Sequence, residues 1–338
     1  MRYLSTVYLG GHEAKVSRSK GSLIVSSPTG KERIPLQGID AIVILGGAQA
    51  TVDALAACAE AGVRVAALRR SGKIRFTVNA ARAGNVHLRL AQAAVAMDDR
   101  ASTGIAKMFV AGKLQNSRRV ISRWSRDAEP GLTRRLLPRM ELITDRLGRL
   151  ASAPTGDHLR GIEGDAARAH FAAMRAVLAD GPLPFVERNR RPPRDPANAM
   201  LGFCYGLLIT EFAGAVEAVG LDHQIGFLHG ARSGRPSLAL DLAEELRPLV
   251  DRFVVTLIRR GQVSPGAFTV TPGGATYLTE AGRSTVIRAW EHEKNHGAFH
   301  SVLGHDVDRW ALPSVQATLL ARHLRGDLPV YPPYVVAN

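Results

Sequence analysis

The spacing of hydrophobic and polar positions changes once along the chain, near residue 84. Before that point short runs alternate or are continuously apolar, and turn residues such as Lys20-Gly21 separate them. The pattern predicts strands at residues 3–9, 13–17, 22–26, 33–36, 40–45, 63–68 and 73–78, and one helix over 51–61 closed by Gly62. Residues 1–83 are therefore predicted to form a small β-rich domain. Gly46-Gly47 has the spacing of neither common phosphate-binding loop, and we interpret it as a turn.

From Asn85 onward the apolar positions follow the period of an α-helix. Helices are predicted over residues 85–97, 102–124, 132–151, 195–220 and 279–294. Two more helices are predicted, one that starts at about Glu163 and one that runs through Asp241 to Arg259. A short β-like stretch is predicted at 267–277, and an extended arm from Gly326. The predicted fold class is α+β: the β-rich domain is followed by a larger, all-helical domain of residues 84–338.

One stretch, residues 226–248, concentrates candidate chemistry. It places His229 on a short apolar turn, continues as a basic loop, and opens a helix carrying Asp241, Glu244 and Glu245. Leucines, valines and a phenylalanine from Leu242 to Leu257 form one apolar stripe, with Asp241 and Glu244 on the opposite face. A histidine and two carboxylates brought together are ligands for Mn²⁺ or Mg²⁺. The alternative is a solvated acidic face favoured by the helix dipole.

Three other charged segments are also candidate sites. Glu163 begins a helix of small apolar residues, where a metal ligand, a salt bridge or a preference for the helix start would all suit it. The helix over residues 102–124 carries a basic run that is either a solvated face or a surface for DNA phosphates. A loop between residues 187 and 194 displays several arginines beside two prolines, an arrangement suited to phosphate.

Composition narrows the class of partner. Lys and Arg number 44 against 30 Asp and Glu, a formal charge of +14, which favours a polyanionic partner, although a general basic bias or a membrane-surface role gives the same sum. Cys58 and Cys204 form neither a disulfide framework nor a zinc spacing, so a reduced cytoplasm is expected. The start of the chain lacks the pattern of a secretory signal, and the longest apolar run, residues 200–209, is too short to span a bilayer.

His292-Glu293-Lys-Asn-His296 matches the H-E-x-x-H pattern of zinc peptidases. Gly297 follows the motif at once, and its two middle residues suit a solvent-facing surface. A zinc peptidase therefore stays a secondary hypothesis.

Several blocks resemble a known family. Gly226-Phe-Leu-His229, the Arg/Gly loop and Ser237-Leu-Ala-Leu-Asp241-Leu-Ala-Glu244 are similar to the signature block of the CRISPR-associated integrase, the catalytic protein of spacer acquisition. Residues 83–89, 159–167, 188–193 and 320–333 resemble that family's other blocks in the same order, so the likeness covers nearly the full chain. The sequence of these blocks is most similar to the type I subtype C branch.

The resemblance implies metal-dependent DNA integration: the 3′-hydroxyl of a captured fragment attacks a phosphodiester at the edge of a CRISPR repeat. It implies Glu163, His229 and Glu244 as ligands of Mg²⁺ or Mn²⁺, with Asp241 as a further catalytic carboxylate that binds metal, orients a ligand or accepts a proton. The candidate DNA contacts are basic residues of the two loops and of the helix over 102–124: Arg188, Arg190, Arg191, Arg232, Arg235, Lys113, Arg118 and Arg119.

The resemblance also implies a homodimer joined through the β-rich domain, double-stranded DNA as substrate and no membrane. Its protein partners would be a small ferredoxin-like adaptation protein and, in related systems, an iron–sulfur nuclease. A non-catalytic basic DNA-binding scaffold remains the main alternative, because ion pairs alone would also explain the carboxylates.

Overall fold

The fold was obtained as a computed structural model that describes residues 5–10, 13–28, 30–69, 72, 74–78, 85–126, 128–183 and 185–337. The predicted domain boundary at 83/84 lies outside these residues, as do the beginning of the first predicted strand and Thr29.

The first part of the chain is built from two four-stranded sheets and one helix. Its elements are β1 (Ser5–Leu9), β2 (Lys15–Ser19), β3 (Ser22–Ser27), β4 (Gly30–Pro35), β5 (Ile39–Leu45), β6 (Gln49–Ala50), α1 (Val52–Glu60), β7 (Arg64–Leu68) and β8 (Ile74–Val78). One sheet has the order β1-β5-β7-β8, in which β8 is the antiparallel strand, and the other has the order β4-β3-β2-β6. Inward-facing aliphatic residues of both sheets and α1 form a separate small core. The predicted β-rich N-terminal region is confirmed.

The rest of the chain is predominantly helical. Its helices are α2 (Val86–Met97), α3 (Asp99–Arg126), α4 (Pro130–Gly148), α5 (Gly156–Leu178), α6 (Pro196–Ala218), α7 (Ser237–Arg259), α8 (Glu280–Lys294) and α9 (Leu312–Leu324). Two antiparallel hairpins interrupt them: β9 (Phe268–Val270) with β10 (Thr276–Leu278), and β11 (Gly297–His300) with β12 (His305–Asp308). The description of this region as all-helical is therefore corrected, because four short strands pair within it.

Helix starts follow the side chains that can cap them. Asn85 accepts a hydrogen bond from Leu88 N at 3.1 Å at the start of α2, and Asp195 accepts one from Asn198 N at 2.7 Å at the start of α6. Each side chain satisfies a backbone N–H that has no partner within the helix. Both predicted N-caps are confirmed.

Helix α7 lies at the centre of the core, packed against α3, α5, α6 and α9. It is buried nearly all round: Asp241 and Glu245 have no exposed surface and Glu244 is 4% exposed. The alternative of a solvated acidic face is therefore wrong, since these carboxylates point into protein.

Helix α6 is 23 residues long and apolar enough to cross a membrane by length and composition, so the expectation drawn from its ten-residue apolar run was too narrow. However, 72% of its most apolar window is buried against the rest of the fold. The helix thus serves as a core helix here.

The extended arm after α9 packs against the helices. Glu245 accepts hydrogen bonds from Tyr331 Oη at 2.6 Å and from Tyr334 N at 2.7 Å. Asn116 on α3 donates to Tyr334 O and accepts from Val336 N. The arm therefore ties α3 to α7.

Candidate functional site

The turn before α7 is held by one buried carboxylate. Asp241 Oδ2 accepts from Phe227 N at 2.6 Å and from Leu228 N at 3.0 Å, while Oδ1 accepts from His229 N at 3.0 Å and lies 2.6 Å from His229 Nδ1. Four donors use the whole acceptor capacity of a carboxylate. Because the ring donates through Nδ1, the neutral tautomer leaves Nε2 as the free lone pair of His229.

Gly226 permits this arrangement. A Cβ atom at this position would lie 2.6 Å from His229 O and 2.8 Å from Asp241 Oδ2. No side chain fits into that space. The glycine at the head of the signature block is thus explained by the close approach of the turn to Asp241.

Two other carboxylates meet at one ammonium group. Lys113 Nζ on α3 pairs with Glu163 Oε1 on α5 and lies 2.6 Å from Glu244 Oε2 on α7. The side chains of Lys113 and Glu244 are 13% and 5% exposed. Three helices thus bring together residues that no local spacing connects.

Arg247 lies one turn beyond Glu244 and adds a second positive charge beside the carboxylates of Glu163 and Glu244. Its Nε lies 3.1 Å from Glu244 Oε1. Burial alone would raise the pKa of Glu244, but Arg247, Lys113 and His229 outweigh it and lower the pKa to about 2. Glu244 is therefore ionised at neutral pH. In turn, although burial lowers the pKa of Lys113, Glu244 and Glu163 raise it above its ordinary value.

A buried polar network contacts Arg247, the partner of Glu244. Tyr205 Oη donates to Asp251 Oδ1, and His170 Nε2 lies 2.9 Å from Asp251 Oδ2. The guanidinium groups of Arg247 and Arg188 lie 4.9 Å and 5.5 Å from the centre of the Tyr205 ring. The sequence did not indicate Arg247, Asp251 or His170. The three-residue spacing of Glu244 and Arg247 was the one available signal, since such residues are neighbours on a helix.

The donor set fits a divalent cation. Two carboxylates from separate helices already share a positive charge, and the buried Glu244 Oε2 has the Lys113 ammonium at 2.6 Å as its partner. His229 Nδ1 is used by Asp241, which leaves Nε2 of the ring for a ligand bond. Within the described residues, no three histidine, cysteine or acidic side chains stand close enough to ligate one ion. The ammonium of Lys113 lies between the two carboxylates.

The basic residues expected to contact DNA occupy two kinds of environment. Arg190, Arg191 and Arg232 are exposed, whereas Arg118, Arg119 and Arg235 are half-buried. Lys113 does not lie on a solvated face, because its ammonium is paired with Glu163 and Glu244. Arg188 is half-buried over Tyr205 and donates to Asn198 Oδ1 at 2.7 Å. As they stand, these two side chains face the protein, a correction to their expected place as phosphate contacts.

The H-E-x-x-H segment lacks the geometry of a zinc peptidase. Helix α8 ends at Lys294, so His296 lies beyond it, and Glu293 pairs with Arg309 and lies 3.7 Å from His296 Nδ1. A glutamate held by an arginine cannot serve as a free base. The geometry therefore speaks against the secondary hypothesis.

Comparison with known proteins places these residues in a wider context. The family model described as CRISPR associated protein Cas1 matches residues 7–292. CRISPR-associated endonuclease Cas1 2 of Rhodospirillum rubrum is 41% identical, and the match covers 98% of each chain. A CRISPR-associated exonuclease Cas4/endonuclease Cas1 fusion of the same organism is 38% identical over 73% of this chain and 43% of the fusion.

Two solved structures share the fold. A casposase bound to its integration product superimposes with a TM-score of 0.85 at 24% identity, over 97% of this chain and 93% of the casposase. A chain of a Cas6-RT-Cas1–Cas2 complex gives a TM-score of 0.82 at 20% identity, over 98% of this chain and 36% of the longer one. At these identities the likeness concerns the fold alone.

Proposed function

The chain belongs to the Cas1 family of CRISPR-associated proteins, and from that premise we propose that it is a metal-dependent DNA integrase that inserts captured fragments into a CRISPR array. In this reaction the 3′-hydroxyl of the fragment attacks a repeat-edge phosphodiester. A new phosphorus–oxygen bond forms, the bond to the 3′-oxygen of the repeat breaks, and that oxygen takes up the proton. With water as nucleophile the same site would hydrolyse DNA.

The observation that carries the proposal is the meeting of Glu163 and Glu244 at one cation, Lys113. Glu244 is buried and Glu163 is half-buried, and carboxylates withdrawn from water are costly unless a positive charge compensates them, so their meeting at one position supports a cation site there. His229 is held by Asp241, which stands three residues before Glu244 on α7, and it acts with Arg247 and Lys113 to lower the pKa of Glu244. We propose Glu163, His229 and Glu244 as the ligands of Mg²⁺ or Mn²⁺.

Each side chain has a distinct task in this proposal. Asp241 fixes the ring and tautomer of His229, so it is a positioning residue. Arg247 keeps Glu244 ionised and holds one of its oxygens, which leaves the other for the cation. A divalent ion bound here would neutralise charge on the phosphate oxygens and lower the pKa of the attacking hydroxyl.

The DNA and protein partners are part of the same proposal. The exposed Arg190, Arg191 and Arg232, with the half-buried Arg118, Arg119 and Arg235, are proposed to hold phosphates of double-stranded DNA. The small ferredoxin-like partner is proposed to be of the Cas2 kind, which a related complex names, and the iron–sulfur nuclease to be of the Cas4 kind, which a related fusion names. We further propose a cytoplasmic homodimer joined through the β-rich part, and membership of the type I subtype C branch.

A strand-transfer assay tests the function. Wild-type protein with Mn²⁺, a prespacer duplex and a repeat-containing target is expected to yield joined product, with and without the small partner compared side by side. Glu163→Gln is expected to lower the rate at least about a hundredfold. Asp157→Asn is the matched control, because Asp157 lies on the same helix in an exposed pair with Arg160. Equal rates for Glu163→Gln and the control would overturn the metal site.

The scaffold alternative makes a different prediction for His229→Ala. A scaffold would keep its DNA affinity and would show no cleavage in either form. The integrase loses cleavage and strand transfer while its DNA affinity changes less than about twofold.

A further inference from the structure

Two exposed histidines meet at the end of α8, in the H-E-x-x-H segment that the proposed function does not use. His292 lies in the last turn of the helix, and His296 lies just beyond its final residue, Lys294. Their ring centres are 4.9 Å apart, and their ring planes cross at 87°. The side chain of His296 is 50% exposed. Both rings can therefore be reached from solvent.

The separation of the two rings is that of two ligands of a single ion. Imidazoles bound to one ion at about 2.1 Å have ring centres about 4.6–5.3 Å apart, for angles at the ion of about 90–110°. The 4.9 Å between His292 and His296 lies within that range. Rotation of a ring about its metal–nitrogen bond leaves this distance unchanged, so crossed ring planes are compatible with a shared ion.

A backbone hydrogen bond orients the ring of His296. Its Nδ1 lies 3.2 Å from Glu293 O. A carbonyl oxygen can only accept, so Nδ1 carries the proton, and the neutral ring keeps its lone pair on Nε2. Metal-binding histidines are commonly held by such a bond from their second ring nitrogen. The free nitrogen of His296 is thus the one that a metal ion would use.

The charges around the pair are compatible with a cation. Glu293 is paired with Arg309, and the ammonium of Lys294 is buried between two carboxylates of the core. Arg288, one turn before His292, is exposed and can extend into solvent. The C-terminal end of a helix carries a partial negative charge that favours a positive ion. The end of α8 therefore favours a cation beside the two rings.

We propose that His292 and His296 together bind one divalent transition-metal ion of the kind that Zn²⁺ represents. Imidazole nitrogen suits Zn²⁺, Ni²⁺ and Cu²⁺, whereas Mg²⁺ prefers oxygen ligands. In the part of the chain that the structure describes, no third histidine, cysteine or acidic side chain completes a cluster there. Water fills the remaining positions around the ion.

The bound ion connects two elements of the fold and has no catalytic role. It joins the last turn of α8 to the residue before β11. His296 O also accepts from Arg309 N at 3.2 Å, where the chain leads into α9. Glu293, which would be the base of a zinc peptidase, is paired with Arg309. The site therefore stabilises this junction, and it is independent of the proposed DNA chemistry.

Binding of Zn²⁺ to the full chain, measured by equilibrium dialysis with excess Mg²⁺ present, tests the site. His292→Gln and His296→Gln are each expected to weaken the binding of one Zn²⁺ equivalent at least about tenfold. The matched control is His305→Gln, because His305 is exposed and its Nδ1 also bonds to a backbone oxygen, Asp306 O at 2.9 Å. Equal Zn²⁺ binding by all four proteins would overturn the site.

The double variant His292→Gln/His296→Gln distinguishes one shared ion from two separate ions. It is expected to lose the same single equivalent as either single variant. A loss of two equivalents would mean that each ring binds an ion alone, and the shared site would be refuted. Glu163→Gln, which alters the proposed metal centre, should keep this equivalent. Its loss in Glu163→Gln would place the ion at that centre and would also refute the proposal.

Thermal unfolding gives a second readout. Because the ion binds the folded chain, Zn²⁺ is expected to raise the melting temperature of the wild type and of His305→Gln, and to raise that of His292→Gln and His296→Gln less. An equal rise in the wild type and in both of these variants would mean that no ion connects α8 to β11.

Discussion

His229 Nδ1 lies 2.6 Å from Asp241 Oδ1, and the same carboxylate accepts the backbone N–H groups of Phe227, Leu228 and His229. One residue of α7 therefore fixes both the path of the turn and the orientation of the ring that the turn carries. Of the three roles left open for Asp241 by its sequence, orientation is the one that this geometry favours. Metal ligation would require it to give up a hydrogen bond.

Replacement of Asp241 by Asn is therefore expected to disturb the ring of His229. The asparagine places an NH₂ group against backbone N–H donors, so two donors face each other and the turn must shift. Mn²⁺-supported strand transfer should fall about 10–100-fold, and Mn²⁺ affinity should fall with it. Asp327→Asn, which alters only an exposed pair with Arg325, is the control. If Asp241→Asn kept Mn²⁺ affinity and rate, the orienting role would be refuted.

If the proposed metal site is right, Lys113 and the metal ion compete for one position between Glu163 and Glu244. Substitution Lys113→Met removes the ammonium between Glu163 and Glu244 and leaves two carboxylates facing each other. Mn²⁺ is then expected to bind at least about tenfold more tightly, a change of about 1.4 kcal/mol, as measured by calorimetry or by the spectrum of free Mn²⁺.

The matched control for that variant is Lys107→Met. Lys107 lies on the same helix but is half-exposed and donates to Ala151 O at 2.9 Å, away from the carboxylates. Its loss should leave Mn²⁺ affinity unchanged. Weaker or equal Mn²⁺ binding by Lys113→Met would show that the lysine does not occupy the place of the ion.

Much of the fold could be predicted because its signals are local. The caps at Asn85 and Asp195, the end of α1 at Gly62 and the apolar length of α6 each depend on neighbouring residues. Helix α9 and the hairpin of β11 and β12 were missed, since their short runs show neither period clearly. Local rules thus describe the elements better than the connections between them.

The candidate site is formed by contacts between residues that are far apart along the chain, and their spacing in the sequence cannot show such contacts. Glu163 and Lys113 are 50 residues apart along the chain, and nothing in either helix alone indicates the pair. The resemblance to a family predicted that Glu163, His229 and Glu244 belong to one site. The burial of α7 is caused by the surrounding helices, which the sequence of α7 alone does not show. The sequence of α7 is amphipathic, but other elements cover both of its faces. Its acidic face is therefore buried and not solvated.

Acid should weaken the folded state through Glu244. Its folded pKa of about 2 is below the unfolded value of about 4.3, so its ionisation stabilises the fold above pH 4.3, and this contribution is lost as the pH falls toward 2. The difference in unfolding free energy between wild type and Glu244→Gln is expected to shrink by about 1 kcal/mol between pH 6 and 3.5. Urea titrations across this range measure it. A difference that stays constant would mean that the pKa is not lowered.

Two glycines of α3 offer a test of how closely the arm packs on the catalytic helices. A Cβ atom at Gly112 would lie 2.9 Å from Pro333 Cβ and 3.0 Å from Glu245 Cγ, whereas one at Gly104 would meet nothing within 4 Å. Alanine is ordinarily better than glycine in a helix by about 1 kcal/mol. Gly104→Ala should therefore raise the melting temperature.

Gly112→Ala carries the same helical advantage but must push the arm or Glu245 aside, an overpacking cost of about 1–3 kcal/mol. Its melting temperature should fall below that of Gly104→Ala, and proteolysis should cleave the chain after α9 at lower protease concentrations than in the wild type. Because Glu245 is the neighbour of Glu244, a displaced arm should also slow strand transfer. If both alanine variants gained stability equally, the arm would not be packed against α3 as described.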